Sequence, residues 1–117
     1  MNMKTLEAKE GYLFAQYTDD YRMGACLDFM KGIAEACRRE GLSKALCDVR
    51  GMMGKIDIVD SFQLAVAGVL IFDGIQLAGV YRREDMDLFA ETVIRNRGGN
   101  VRLFSDIESA KQWLGVE

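Results

Sequence analysis

The stretch Ile75-Gln76-Leu77-Ala78-Gly79-Val80-Tyr81 decides the fold. It is short, nearly continuous in apolar residues, and follows Asp73-Gly74. A strand buried on one face alternates apolar and polar residues. A run without alternation is a central parallel strand covered on both sides. Parallel strands need crossover helices, so helical patterns are expected before and after it, and both are present.

Upstream, Asp57 or Asp60 caps a helix running through Ser61, Phe62, Leu64, Ala65, Val66 and Val69 to Phe72. Its back half is apolar all round, and Ala65, Ala67 and Gly68 predict a helix lying closely under the sheet. Lys44–Val49 reads as a strand, joined to that helix by the glycine-bracketed loop Arg50-Gly51-Met52-Met53-Gly54-Lys55. Before it, Met23, Leu27, Met30, Ala34 and Cys37 recur in steps of four and three, one face of a long helix. Thr18-Asp19-Asp20 is its expected N-cap cluster and Gly41 its C-cap. At the start, Lys4–Ala8 and Tyr12–Tyr17 form a hairpin turned at Glu10-Gly11.

Downstream, Glu84-Asp85 open a helix with Met86, Phe89, Ala90, Val93 and Ile94 inward, ending at Asn96–Gly99. Val101–Phe104 is the last strand. Ser105 or Asp106 caps a final helix whose stripe of Ile107, Ala110, Trp113 and Leu114 docks it on the body. The order is β-β-α-β-α-β-α-β-α. This is an α/β class chain with a mainly parallel five-stranded sheet, an N-terminal hairpin and about four helices over both faces. The expected core is Leu13, Leu27, Met30, Leu46, Val66, Val69, Leu77, Val80, Phe89, Val93 and Leu103.

Length and composition bound the rest. At 117 residues the chain is expected to form one domain, residues 1–117, and half its residues are hydrophobic, enough for a core without staples. Fifteen basic against 18 acidic residues, net −3, argues against wholesale binding to a nucleic-acid backbone. The longest apolar run, Leu64–Phe72, is too short to insert into a membrane. The first residues lack a secretory apolar segment, which predicts a cytoplasmic protein. With no histidine, His-based triads and His-metal sites are excluded. No cofactor fingerprint is present: Gly51-x-x-Gly54 and Gly98-Gly99 fit neither dinucleotide nor phosphate-loop patterns. Cys26, Cys37 and Cys47 read as small buried apolar residues in a reducing compartment.

Candidate site residues collect where the strands end. Asp48, Arg50, Arg82, Arg83 and Asp106 are expected beyond the carboxyl edge, where open α/β sheets bind ligands, and could orient an anionic or polar molecule. Met52 and Met53 could lid an apolar pocket or meet a partner. With Tyr21 they also predict a homodimer. No pair of groups reads as acid and base, so the catalytic set is empty and the protein is expected not to be an enzyme.

The hairpin, the long helix, the strand ending Asp48-Val49-Arg50-Gly51, and the run from Asn96-Arg97-Gly98 through Val101-Arg102-Leu103-Phe104-Ser105-Asp106 to Ala110-Lys111-Gln112-Trp113-Leu114 carry a resemblance. Together they resemble the SpoIIAA-like proteins, the sulfate-transporter and anti-sigma-factor-antagonist (STAS) group, over essentially the whole chain. The resemblance implies a non-enzymatic regulatory module that meets a protein partner. In antagonist members, a Ser or Thr just after the third strand is phosphorylated by a partner kinase. Here Val49, Arg50, Gly51, Met52 and Met53 follow Asp48, and the first hydroxyl is Ser61, the one candidate phosphorylation site and equally an ordinary first-turn serine. The alternative is a domain binding a small or lipid-like ligand, which requires a cavity beneath the Met52-Met53 loop.

Overall fold

A computed structural model of the chain describes residues 3–117. The elements are β1 (Met3–Lys9), β2 (Tyr12–Thr18), α1 (Met23–Glu40), β3 (Lys44–Asp48), α2 (Ile58–Ile71) and β4 (Gln76–Val80), then a 3-10 turn (Arg83–Asp85), α3 (Leu88–Asn96), β5 (Val101–Phe104) and α4 (Ile107–Leu114). The strands form one sheet in the order β1-β2-β3-β4-β5. β1 is antiparallel to β2 and every later pairing is parallel. Gly11 turns the hairpin at φ 86°, a conformation that costs other residues steric strain.

The strand order explains the layers. Each parallel crossover steps to the next strand in the same direction, and right-handedness then places α1, α2 and α3 on one face. Leu13, Ala15, Tyr17, Ala45, Cys47, Leu77 and Val101 form the core on that side. The alternate residues Tyr12, Leu46, Ala78 and Val80 point the other way and are sealed by α4 through Ala110 and Leu114. Trp113 stacks obliquely on Phe104, ring centroids 5.8 Å apart. The central strands are thus covered on both sides, as continuous apolar runs require.

Four local expectations differ from the structure. Thr18-Asp19-Asp20 does not cap α1; the helix begins after Arg22, whose side chain caps nothing. Those residues are used in pairing instead. Asp20 bridges Met53, Met53 N–H donates to the Asp19 carbonyl at 3.0 Å, and Tyr21 N–H to the Met53 carbonyl at 2.8 Å. The inward face of α1 is Cys26, Phe29, Ile33, Ala36 and Cys37, with Ala34, while Leu27 and Met30 are half-buried. Apolar residues occupy most of the helix circumference, so spacing alone leaves the buried column open. α3 begins at Leu88, capped by Asp87, whose side chain accepts from Ala90 N–H; Glu84 and Asp85 lie in the 3-10 turn. In so short a helix only the Ala90-Val93-Ile94 face reaches inward, and Phe89 is 60% exposed. Lastly, α2 does not lie closely under the sheet. It packs on α1 and α3, and only Ala65 and Gly68 along it are buried.

Candidate functional site

At the carboxyl end of β3, strand alternation sends Cys47 and Val49 toward the three-helix face and Asp48 toward the α4 face. Asp48 is only 4% exposed. Its two carboxylate oxygens accept from Arg50 Nε and Nη2, each at 2.9 Å, and Oδ1 also accepts from the Arg50 backbone N–H at 3.1 Å. Burial works to raise this carboxyl. The hydrogen bonds and charge of Arg50, with help from Gln16 beside it in register, outweigh burial and hold it below the ordinary carboxylate value. The carboxylate is engaged by Arg50 on both oxygens, while the Arg50 side chain stays 41% exposed with its Nη1 edge not used by Asp48. Asp106 also serves the fold. It caps α4 by accepting from Ser109 N–H at 2.7 Å and from Ser109 Oγ–H at 3.0 Å. Those bonds, with Arg50 and Arg83 nearby, lower its carboxyl.

The loop after β3 is pinned from both sides. A Cβ on Gly51 would come within 2.5 Å of Thr18 Cγ2, so only glycine fits beside β2 without a shift. Arg82 reaches across to donate to the Met52 carbonyl at 3.0 Å while its Nε holds Asp85 at 2.7 Å. The two methionines diverge. Met52 packs, half-buried, on the three-helix core, and Met53 stands 58% exposed. The six candidates therefore do not form one crevice. The strand order contains no reversal, hence no switch point to gather them. Asp48 and Arg50 sit on the α4 face with Asp106 close to Arg50, and Met52 lies on the opposite one.

On that opposite face, beneath the Met52 loop, lies a cavity of about 320 Å³ between the sheet and α1–α3. Its floor is Cys47, Val49, Leu77, Gly79, Tyr81 and Leu103, and its roof includes Met30, Ala65 and Gly68. Met52, Lys55, Ser61, Glu84, Asp85 and Asp87 lie at its polar end. The space exists because the two ends of α2 are tied to other elements. Ser61 Oγ–H donates to Asp87 at 2.6 Å, and Tyr21 O–H to Asp60 at 2.7 Å. At the far end Arg38 donates to the carbonyls of Ile71 and Asp73, at 3.0 and 3.3 Å. Small residues do the rest. Gly79 lets the Tyr81 ring lie back over the floor, where a Cβ would come within 2.8 Å of Tyr81 Cε1.

Ser61 lies in the first turn of α2, its hydroxyl engaged by Asp87. Asp57, which caps that helix through Asp60 N–H at 2.8 Å, stands close by. A phosphate on Ser61 would gain from the helix end but meet these carboxylates. The three cysteines are free and buried, and burial pushes each thiol above its ordinary value, the reverse of an activated thiolate.

Tyr81, Gly79 and Gly68 are the site residues that sequence reasoning passed over. A signal was available: glycine two residues before tyrosine in a central strand puts an empty position and a large ring on the same face, a mark of close approach or of space.

No family model matches the sequence, and no curated protein matches it. Solved structures share the fold, two of them over nearly the whole chain. One is an anti-sigma factor antagonist from Mycobacterium paratuberculosis, with a TM-score of 0.66 and 9% identity over 98% of this chain and 95% of that one. The other is a DUF3478-family protein with a SpoIIAA-like fold from Shewanella loihica PV-4, with a TM-score of 0.54 and 17% identity over 97% and 93%. The chain therefore has the SpoIIAA-like fold expected from its strand and helix order. Among the described residues no helix is long and apolar enough to cross a membrane.

Proposed function

We propose that this protein is a non-enzymatic binding module whose ligand is a small apolar molecule held between the sheet and α1–α3. The single supporting observation is the cavity beneath Met52, about 320 Å³ and walled mainly by apolar side chains. A cavity of roughly 150 Å³ lined by such residues stays dry and takes up benzene. This one is about twice as large and enters the range of small-molecule sites. An anionic ligand at Arg50 and Arg82 is the weaker reading, since Asp48 and Asp85 already offset the charge of these two exposed guanidiniums. Native mass spectrometry of the purified protein tests the proposal. A noncovalent adduct in the wild type that Ala65→Leu abolishes, with folding retained, is the expected result. A bare wild type that also gives no NMR shifts with naphthalene at saturation would sink it.

A second reading keeps a protein partner, in a regulatory role in the cytoplasm. Its support is apolar surface on two adjacent first turns: Ile58, Val59 and Phe62 on α2, and Leu88 and Phe89 on α3, all more than 40% exposed. The Ser61–Asp87 bond brings those turns together. The shared fold with an anti-sigma factor antagonist points the same way. A homodimer through this surface and Met53 is one form of that reading.

A further inference from the structure

Apart from the exposed Lys55 ammonium, the cavity lining carries a hydroxyl that the protein leaves unused. Tyr81 follows β4, and its N–H donates to the Phe104 carbonyl at 2.9 Å, which fixes the backbone at the strand exit. Its ring folds back over Gly79 and forms part of the cavity wall, as does Leu103 on the other side of that glycine's empty position. Among the described residues none hydrogen-bonds its hydroxyl, yet that oxygen is not sealed from solvent either. A ligand that fills the space displaces the water that reaches this hydroxyl, and in an apolar enclosure the loss is costly unless the ligand itself supplies an acceptor. The surroundings push the phenol well above its ordinary value, chiefly through burial, so it stays protonated and can donate.

The charged groups around the cavity narrow the choice further. Its lining holds four carboxylates, Glu84, Asp85, Asp87 and Glu91, against the single ammonium of Lys55. An anion entering there meets net negative charge. The carboxylates do not call for a cation, because the inner three are satisfied. Asp85 holds Arg82; Asp87 accepts from Ser61 and from Ala90 N–H; Glu91 accepts from Leu103 N–H at 2.8 Å and pairs with Arg95. We infer that, on the ligand-binding reading above, the cavity takes an uncharged apolar molecule carrying one hydrogen-bond acceptor, and that the Tyr81 hydroxyl is the residue that reads it.

Four probes of one size and different heads test this by NMR titration: 2-acetonaphthone, 2-isopropylnaphthalene, 2-naphthoate and 1-(2-naphthyl)ethylammonium. The ketone is expected to bind about tenfold more tightly than the hydrocarbon, the scale of one well-made hydrogen bond, and both ions more weakly than the ketone. Tyr81→Phe should bring the ketone down to the hydrocarbon, leave hydrocarbon affinity unchanged, and keep the wild-type melting midpoint, because the hydroxyl supports nothing in the protein. Should that variant not fold, the order of the four probes on the wild type still decides. Equal affinities, an ion binding most tightly, or a ketone preference surviving in Tyr81→Phe would overturn the inference while leaving the ligand-binding reading standing. No binding by any probe would overturn both.

Discussion

Asp48 and Arg50 show how position changes the meaning of a residue. At a strand end they look like a binding pair; in the fold they are partners of one another. Asp48 is buried, so removing Arg50 leaves a carboxylate with little access to water. Breaking a fully buried pair costs several kcal/mol, and the Arg50 side chain is 41% exposed, so a smaller loss is expected. Arg50→Ala should lower stability by about 1–3 kcal/mol in urea melts; a loss within about 0.5 kcal/mol, the usual surface value, would return the pair to the list of binding groups. The pH dependence has a definite sign. The folded carboxyl is held below its unfolded value, so its stabilisation is present above about pH 4 and is lost as the pH falls through the folded value. Asp48→Asn should therefore be less stable than the wild type at neutral pH and lose less on acidification, as followed by thermal melts between pH 7 and pH 2.

At the scale of elements, α2 is the unusual one. Its sequence is apolar enough to be a core helix, yet it is propped on α1 and α3 by ties at its ends. Gly68 opens the last turn of α2 and faces the space, where an added Cβ would find Met30 Cε at 3.4 Å and Phe72 at 4.0 Å. The methionine end is flexible, so the methyl fits. Helical glycine is less favourable than alanine by about 0.5–1 kcal/mol. Gly68→Ala should stabilise the protein by about that amount in denaturant melts. Destabilisation would mean that α2 lies closer to the sheet than the cavity allows. α1 teaches the complementary lesson. Its C-cap at Gly41, next to Arg38 and Arg39 in its last turn, is legible in sequence, because a cap is local. Its buried face is not, because Met30 and Cys26 are equally apolar and only α2 and the sheet choose between them.

For the whole molecule, the one-way strand order governs what can be a site. With three crossover helices on one face and α4 alone on the other, the space lies between the sheet and the three-helix layer rather than in a crevice at the sheet edge. The same arrangement leaves the first turns of α2 and α3 presenting Ile58, Val59, Leu88 and Phe89 to solvent, each at least 60% exposed. A patch of this kind more often meets a partner than water. If a second copy covers it, sedimentation equilibrium at high micromolar concentration should show a dimer that Phe89→Glu dissociates. A wild type that stays monomeric throughout would assign the patch to another protein or to none.

The sequence by itself determined the element order, the hairpin at Gly11, the caps at Gly41, Asp57 and Asp106 as one of each offered pair, and the double covering of β4. Each rests on neighbours a few residues apart: a glycine where φ is positive, a carboxylate before a first turn, an apolar run too short and too continuous for anything but a central strand. Only the tertiary structure decided the start of α1, the outward turn of Phe89, the closing of Asp48 on Arg50, and the gap that Gly79 and Gly68 leave around Tyr81. Apart from the Asp48–Arg50 pair, whose members are two residues apart, those outcomes depend on groups distant in the chain: Met53 pairs beside Asp20, Ser61 reaches Asp87, and Arg38 holds the end of α2. A cavity is the sharpest case, since it is defined by atoms that fail to meet, and no local pattern of residues records where side chains from distant strands and helices stop short of one another.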